Sequence, residues 1–319
     1  MSLYNNTIAI VIPCFNVEKH IKQVVDNIPE YVDSIILIND SSPDKTGAVL
    51  SELAAGNSKI TILTHSENQG VGGAMITGFK EAIEQNIDLV VKLDGDGQMD
   101  TSKIHLFVEA LVNDDYDFAK GNRFHDLKTL RKMPAIRRFG NLGLSFLIKA
   151  ASGYWHIFDP TNGFFCVKSQ TLKSLEFSSL SKRFFFESSL LINLYYTGAK
   201  IKDIALPAIY GNEVSNLSIT KTIFTFPHKL LKAFFKRILL RYFIYDFNIN
   251  SFYIFFGGIL FLFGMIFGIT KWIHYSSLGM PSPTGTIMIA VISLVLGFQM
   301  LLSATQYDIS SKNPFENKK

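Results

Sequence analysis

The sequence predicts an α/β domain with a mixed, mostly parallel sheet, followed by two membrane-spanning helices, and three observations carry that expectation. Over the first 125 residues, strand-like apolar runs alternate with helical patterns, as they do in parallel α/β sheets. Polar, glycine-containing segments fall where those runs end, which is where such sheets bind ligands. Late in the chain, 24 residues from Phe247 to Thr270 and 33 from Tyr275 to Tyr307 carry no Asp, Glu, Lys or Arg. Each exceeds the roughly 20 residues a helix needs to cross a bilayer core.

The strand-like runs are Ile8–Pro13, Ser34–Asn39, Lys59–Thr64 and Leu89–Leu93, with a weaker one at Asp117–Lys120. Apolar positions three or four apart predict helices over Glu18–Asn27, Asp44–Ala55, Val71–Gln85 and Lys103–Asn113. The run Ile8–Phe15 is too short for a signal peptide and lacks a basic region before it, so it reads as the first strand. Cys14 and Cys166 are the only cysteines, which gives no disulfide framework and fits a reducing compartment.

The expected organisation is a domain over 1–220, an amphipathic juxtamembrane helix over 221–248 and a two-helix hairpin over 249–319, with spans near 250–271 and 285–306. Lys229, Lys232, Lys236, Arg237 and Arg241 interleave with Phe and Leu before the first span, the pattern of a helix lying at a membrane interface. The net charge of +4 is modest, and this cluster points to anionic lipid and away from nucleic acid. Lys312, Lys318 and Lys319 follow the second span, whereas Lys271 and His274 alone sit between the spans. That bias predicts a two-span membrane protein with its first domain and both termini cytoplasmic.

The segment Asp94-Gly95-Asp96-Gly97-Gln98 ends the fourth strand-like run. Side chains two apart on an extended segment point the same way, so Asp94 and Asp96 can converge on one hard cation, Mg2+ or Mn2+. Waters and a diphosphate would fill its other positions. Asp40, just past the second run, either meets a nucleobase edge or ribose, or caps a turn. In Asn68-Gln69-Gly70-Val71-Gly72-Gly73-Ala74 a helix opens after a strand. Its backbone N–H groups near Asn68, Gly70 and Gly73 suit a phosphate, or the segment is a plain tight turn. Met75 stands where a dinucleotide fingerprint needs its third glycine.

Taken in order, these elements resemble the family 2 glycosyltransferases of GT-A fold, and in particular the polyprenyl-phosphate branch to which dolichyl-phosphate mannosyltransferases belong. Ile12-Pro13-Cys14-Phe15-Asn16-Val17-Glu18 resembles the opening I-P-x-[YF]-N-E element with one extra residue before the glutamate. Asn39-Asp40-Ser41-Ser42 stands where the family has D-D-[GS]-S, with Asn39 the departure. Asp94–Gln98 is similar to its D-x-D, Gly121-Asn122-Arg123 to its G-S-R element, and Asp159-Pro160-Thr161-Asn162-Gly163-Phe164 to D-x-x-[ST]-G-F. Phe186-Glu187 and Tyr210–Leu217 resemble the end of the catalytic domain, although the Arg and Lys of R-x-x-G-x-S-K are missing; Lys221 is one candidate replacement.

The resemblance implies metal-dependent, inverting transfer of a sugar from a UDP- or GDP-linked donor to an undecaprenyl or dolichyl phosphate at the cytoplasmic membrane face, and it leaves room for a homo-oligomer. Pro13, Phe15, Asn16, Glu18, Asp40, Asn68, Gly70, Gly73, Asp94, Gln98 and Glu187 are then substrate-binding, with Asp94 and Asp96 on the metal. A phosphate monoester, with its second pKa of about 6, is already largely a dianionic nucleophile near neutral pH. No strong base is needed, so Asp159 is assigned positioning above a base role. Arg123 suits the acceptor phosphate or the donor diphosphate, with Arg137 and Arg138 behind it or on lipid headgroups. The rival readings are a membrane-anchored nucleotide-sugar-binding or scaffold protein with a decayed site and a processive polysaccharide synthase; the latter is disfavoured because no Q-x-x-R-W run occurs.

Overall fold

The computed structural model describes residues 5–123, 135–206 and 219–316, with backbone alone at 135–139, 141 and 219–225. Strands β1 (Ile8–Cys14), β2 (Ser34–Asn39), β3 (Ile60–Thr64), β4 (Leu89–Lys92), β5 (Phe118–Asn122), β6 (Phe165–Lys168) and β7 (Ile201–Ala205) form one sheet in the order β3-β2-β1-β4-β6-β5-β7. β6 runs antiparallel to both β4 and β5, and every other pairing is parallel. The chain steps outward from β1 to β3 and then returns to the other flank of β1 with β4. The crevice beyond the carboxyl ends of β1 and β4 is therefore the reversal point at which α/β sheets take ligands.

The central strands are apolar on both sides because helices cover both faces. Ile8, Ile10, Ile12 and Cys14 of β1 pack into a core with residues of α1 (Ile21–Asp26), α2 (Thr46–Gly56) and α4 (Ile104–Val112). On the opposite face α3 (Val71–Glu84) lies so close that a Cβ on Gly78 would strike the Val11 side chain. Ile8 to Ile12 are fully buried, each worth roughly 1.5–3 kcal/mol for the large apolar side chains. Cys14 and Cys166 are buried free thiols, and burial pushes both pKa values well up.

The four helices expected between strands are found within a few residues of their anticipated ends. The strand expected over Leu89–Leu93 stops at Lys92, which matters below. β6 and β7 were not anticipated: β6 has four residues running straight on from the Asp159–Phe164 segment, and β7 has five. Further helices are α5 (Ala135–Ser152), α6 (Ser169–Lys173) and α7 (Phe186–Tyr196).

Two compact units emerge: Met1–Ala233 with Phe315–Lys319, and Phe234–Pro314. Phe315 joins the first by packing its ring on Tyr195 and Tyr196. The expected juxtamembrane helix is α8 (Ile219–Leu239), continued by a π-helical turn over Leu240–Tyr245. In the second unit, α9 (Ile249–Ser277) and α10 (Thr284–Ser310) are long and apolar enough to cross a membrane. An Asn248–Ser251 capping box opens α9. Gly257 and Gly264 on α9 face α10, and Ala290, Gly297 and Ala304 recur every seventh residue on α10. A Cβ on Gly264 would meet the Leu294 backbone N at 2.8 Å, so small residues let the two backbones approach.

One expectation fails here. Lys229, Lys232 and Lys236 are exposed, as an interfacial helix requires, but Arg237 and Arg241 are buried. Arg237 donates from both terminal nitrogens to the Asp308 carboxylate at 2.8 and 2.7 Å. Arg241 reaches the same carboxylate at 3.2 Å, together with Ser311 Oγ and the Lys312 carbonyl, and the Tyr242 hydroxyl donates to it at 2.7 Å. The carboxylate that turns these arginines inward sits at the end of α10, far away in sequence.

Candidate functional site

The loops after β1 and β2 are laced to each other. Asn16 N donates to Ser42 Oγ (2.8 Å), Val17 N to Thr46 Oγ1 (3.1 Å) and Lys45 N to Glu18 Oε2 (2.9 Å). Asp44 sits at the centre, accepting from Ser42 Oγ, Thr46 N and Glu18 N. Slight burial pushes its carboxyl up, but those hydrogen bonds prevail and lower it to about 2. Asn39, the departure from the resembled pattern, accepts from Ser42 N at 3.0 Å, as an aspartate would. Glu18 is thus a stitch between loops, while Phe15 remains exposed beside them and Pro13 is half-buried.

Asp40 is buried with both carboxylate oxygens engaged. Oδ1 accepts from Gln69 N (2.8 Å) and contacts His65 Nδ1 (2.7 Å), and Oδ2 accepts from Gly70 N (2.7 Å). Asn68 Nδ2 donates to the Asp40 carbonyl. Gly73 N donates to the Lys182 carbonyl at 2.9 Å, and a Cβ on Gly70, whose φ is +84°, would strike that same carbonyl. The Gly70 and Gly73 N–H groups are satisfied inside the protein, which corrects the phosphate reading at those two positions. Asp40 ties the turn to the end of β2 and meets it through backbone groups, the capping alternative of the two.

The acidic turn lies on the β1 side of the reversal point: a Cβ on Gly95 would touch the Val17 side chain at 3.2 Å. Because β4 ends at Lys92, Asp94 and Asp96 stand in a turn and not on an extended strand, which corrects the argument from alternating side chains. The turn is ordered by Gln98 N donating to Asp96 Oδ1 at 3.0 Å. Asp94 is gripped from behind. Lys92, at 1% side-chain exposure, places its ammonium 2.7 Å from Asp94 Oδ1 and 3.4 Å from Glu187 Oε1 in the first turn of α7. Burial alone would lower the Lys92 pKa, yet the two carboxylates outweigh it and raise it.

The third element closes on the second. A Cβ on Gly163 would lie 2.6 Å from Lys92 Nζ and 2.8 Å from Asp94 Oδ2. Four residues earlier, the fully buried Asp159 accepts from Arg123 Nε at 2.8 Å and Nη2 at 3.2 Å, one carboxylate oxygen for each, and from Arg123 N at 3.3 Å. The guanidinium is thereby fixed in a fork–fork pair while its side chain stays 45% exposed. Asp203 on β7 steadies both partners, accepting from Phe158 N (2.6 Å) and Asn122 Nδ2 (3.4 Å), the neighbours of Asp159 and Arg123.

The sequence had not marked Lys92, Lys120 or Asp203. Lys120 is buried, donates to the Asn162 carbonyl and has its pKa pulled down to about 8 by burial, with Glu187 and Asp159 opposing and Lys92 and Arg123 adding to the fall. Arg137 and Arg138 lie on α5 with side chains outside the described residues, as does Lys221 on α8; Tyr210–Leu217 falls outside them altogether. Two carboxylates in a glycine-flanked turn are a hard oxygen donor set that fits Mg2+ or Mn2+. Among the described residues no group of three or more His, Cys, Asp and Glu gathers that could hold a metal.

Comparison with known proteins follows the same residues. The model of glycosyl transferase family 2 matches residues 9–175. A UDP-N-acetylglucosamine–dolichyl-phosphate N-acetylglucosaminyltransferase from Methanococcus voltae is 32% identical over 247 residues, covering 73% of this chain and 96% of that protein. The polyprenol monophosphomannose synthase of Mycolicibacterium smegmatis is 23% identical, over 62% of this chain and 75% of that one. Among solved structures, the glucosyl-3-phosphoglycerate synthase of Mycobacterium tuberculosis, crystallised with Mn2+, UDP-glucose and glycerol 3-phosphate, superposes with a TM-score of 0.51 at 18% identity, over 73% of this chain and 80% of that one. That likeness shows a shared GT-A fold.

Proposed function

The chain belongs to glycosyl transferase family 2, and from that premise we propose that it transfers a sugar from a nucleotide-sugar to a polyprenyl phosphate at a membrane surface. One observation carries the reading: the Asp159–Gly163 segment grips Arg123 at one end and abuts Asp94 at the other. An anchored cation for phosphate is thereby coupled to a carboxylate turn suited to a diphosphate-bound ion. The M. voltae relative, matched over nearly its whole length, carries a dolichyl phosphate acceptor in its name, and α9 and α10 supply a membrane anchor suited to such a lipid.

Two anions must be brought together, and the chemistry then needs alignment more than a base. Arg123, with its planar fork held by Asp159, orients the acceptor phosphate behind the anomeric carbon. Asp159, already paired with Arg123, is a positioning group. The phosphate dianion attacks in one displacement, inverting the anomeric centre, and the nucleoside diphosphate leaves from the side of Asp94 and Asp96. Those two residues would hold Mg2+ or Mn2+, which when bound supplies Lewis-acid stabilisation of the leaving diphosphate. The loops around Phe15, Asn16 and Asp40 form the nucleoside side. Lys229, Lys232, Lys236 and Lys312 bias the catalytic unit to the cytoplasmic face.

The test is transfer of label from a nucleotide-sugar to undecaprenyl or dolichyl phosphate by the purified full chain in detergent, with and without Mn2+ or Mg2+. UDP-N-acetylglucosamine is the first donor to try, followed by UDP-glucose and GDP-mannose. Metal-dependent product that is lost in Asp96→Ala supports the reading. Full turnover by Asp96→Ala removes the metal assignment, and failure with all donors on both lipids removes the acceptor class.

A further inference from the structure

We propose that Lys92 keeps the metal affinity of the Asp94–Asp96 turn low until a nucleoside diphosphate arrives, an inference that rests on reading that turn as the metal clamp. The ammonium lies 2.7 Å from Asp94 Oδ1 and 3.4 Å from Glu187 Oε1, with its side chain almost wholly buried. The ammonium packs close against Gly163, where an added Cβ would lie 2.6 Å from Nζ. Asp94 therefore presents itself to a cation already partly neutralised by a resident positive charge.

The described residues offer little with which to offset that repulsion. Among the described residues no cluster of three or more ligating side chains forms, and the two carboxylates of the turn have the Lys92 ammonium 2.7 Å from Asp94 Oδ1. Like charges at such range repel, and the burial of Lys92 limits the screening of its charge. A nucleoside diphosphate changes the balance, since its negative charge compensates the metal and the lysine together. Glu187 tunes the device by sharing the ammonium with Asp94, which leaves Asp94 more of its own charge. Lys92 is thus a positioning residue that makes metal and donor bind as a pair.

The experiment is Mn2+ binding to the full chain in detergent, followed by the EPR signal of free Mn2+, alone and with UDP or GDP. The wild type is expected to bind Mn2+ alone roughly tenfold or more weakly than with the diphosphate it accepts. Lys92→Met should tighten binding of Mn2+ alone roughly fivefold or more, whereas Lys92→Arg, which keeps the charge, should stay within about twofold of wild type. Glu187→Gln should move it the other way, roughly threefold weaker. A merely structural lysine would loosen the metal on removal, so unchanged or weaker binding in Lys92→Met overturns the inference, as does Lys92→Arg behaving like Lys92→Met. If Lys92→Met does not fold, Glu187→Gln decides, and unchanged or tighter binding there overturns it. Binding that survives Asp96→Ala, or wild type that binds no Mn2+ with either diphosphate, overturns the metal-clamp reading itself. Binding that needs Asp96 but ignores Lys92 removes only this inference.

Discussion

Arg123 and Arg237 each hold a carboxylate in two hydrogen bonds, yet the two clusters are built for different ends. In the first unit one arginine meets one buried aspartate, and the guanidinium keeps a face toward solvent. In the second, Arg237, Arg241 and Tyr242 crowd onto Asp308, and all four side chains are buried. The same chemical pair thus makes an exposed fork in one place and a closed clasp in the other. Exposure of the arginine, and not its pairing, is what separates the two clusters, and it is what the proposed phosphate role of Arg123 requires.

Breaking the clasp should produce the largest effect. Asp308→Ala leaves two guanidiniums buried without their carboxylate, a situation that costs about 3–5 kcal/mol. The expected result is a marked drop in the thermal midpoint of the detergent-solubilised chain. Replacing Arg237, Arg241 and Asp308 together by Met, Met and Leu should recover most of it, because well-packed apolar groups substitute for buried ions at little cost. A clasp that tolerates Asp308→Ala with no shift in midpoint contradicts the structural role.

The fork should respond first in activity, with a smaller loss of stability, because the buried Asp159 would keep the Arg123 backbone N and the Thr161 hydroxyl as donors. Arg123→Ala is expected to lower transferase turnover about 10²–10³-fold, the range for removing one preorganised charge stabiliser. Arg123→Lys should recover little of it, since an ammonium cannot satisfy both Asp159 oxygens at once. The thermal midpoint should fall by less than in Asp308→Ala, which strands two buried cations; a fall as large would make the two clusters alike.

Gly163→Ala probes the wall between fork and acidic turn. Its new Cβ would press on Lys92 Nζ and Asp94 Oδ2 at 2.6 and 2.8 Å, both too short for real contacts. Roughly tenfold slower turnover is expected, about 1.4 kcal/mol in barrier height. Turnover equal to wild type would mean that the segment shifts freely and does not couple Arg123 to Asp94.

The buried Lys120 adds a pH signature of its own to the first unit. Burial holds its pKa at about 8 in the folded protein, against 10.5 for a free lysine. Between those values the unfolded chain binds more protons, so stability rises with pH. The charged form is penalised below pH 8, and the penalty is relieved as pH climbs toward 10.5. Wild type should gain on Lys120→Met across that window by at most about 1.4 kcal/mol per pH unit. Parallel stability profiles for the two proteins would show that Lys120 stays charged.

What could be read in advance follows from where each partner lies in the chain. Asp94 with Asp96, Arg123 and Asp159 sit in contiguous, polar, glycine-bearing segments after apolar runs, so their types and spacing announce them. Lys92 reads as one polar residue on a strand, because its counter-charge Glu187 arrives from a helix beyond two further strands. Arg237 and Arg241 look like interfacial cations for the same reason: Asp308 ends an otherwise apolar helix. β6 is short and antiparallel, and nothing in its four residues marks where it inserts between β4 and β5. Local pattern gives the elements and the motifs; long-range charge pairing depends on topology.

The smallest effect expected is at Asn39, and it bears on whether the site is intact. An aspartate is usual at this place in the resembled motif, so Asn39 is the residue that a decayed, merely nucleotide-binding protein would display. Its side chain, however, accepts from Ser42 N at 3.0 Å and so closes the turn that carries Asp40. An aspartate there would accept the same bond, and the nearby carboxylates of Asp40 and Asp44 are already engaged with other donors. Asn39→Asp should therefore leave turnover within about twofold of wild type, an energy change of about 0.4 kcal/mol. A gain of tenfold or more in the label-transfer assay would mean that the turn lost a working carboxylate, and that Arg123 and Asp94 operate in a weakened site.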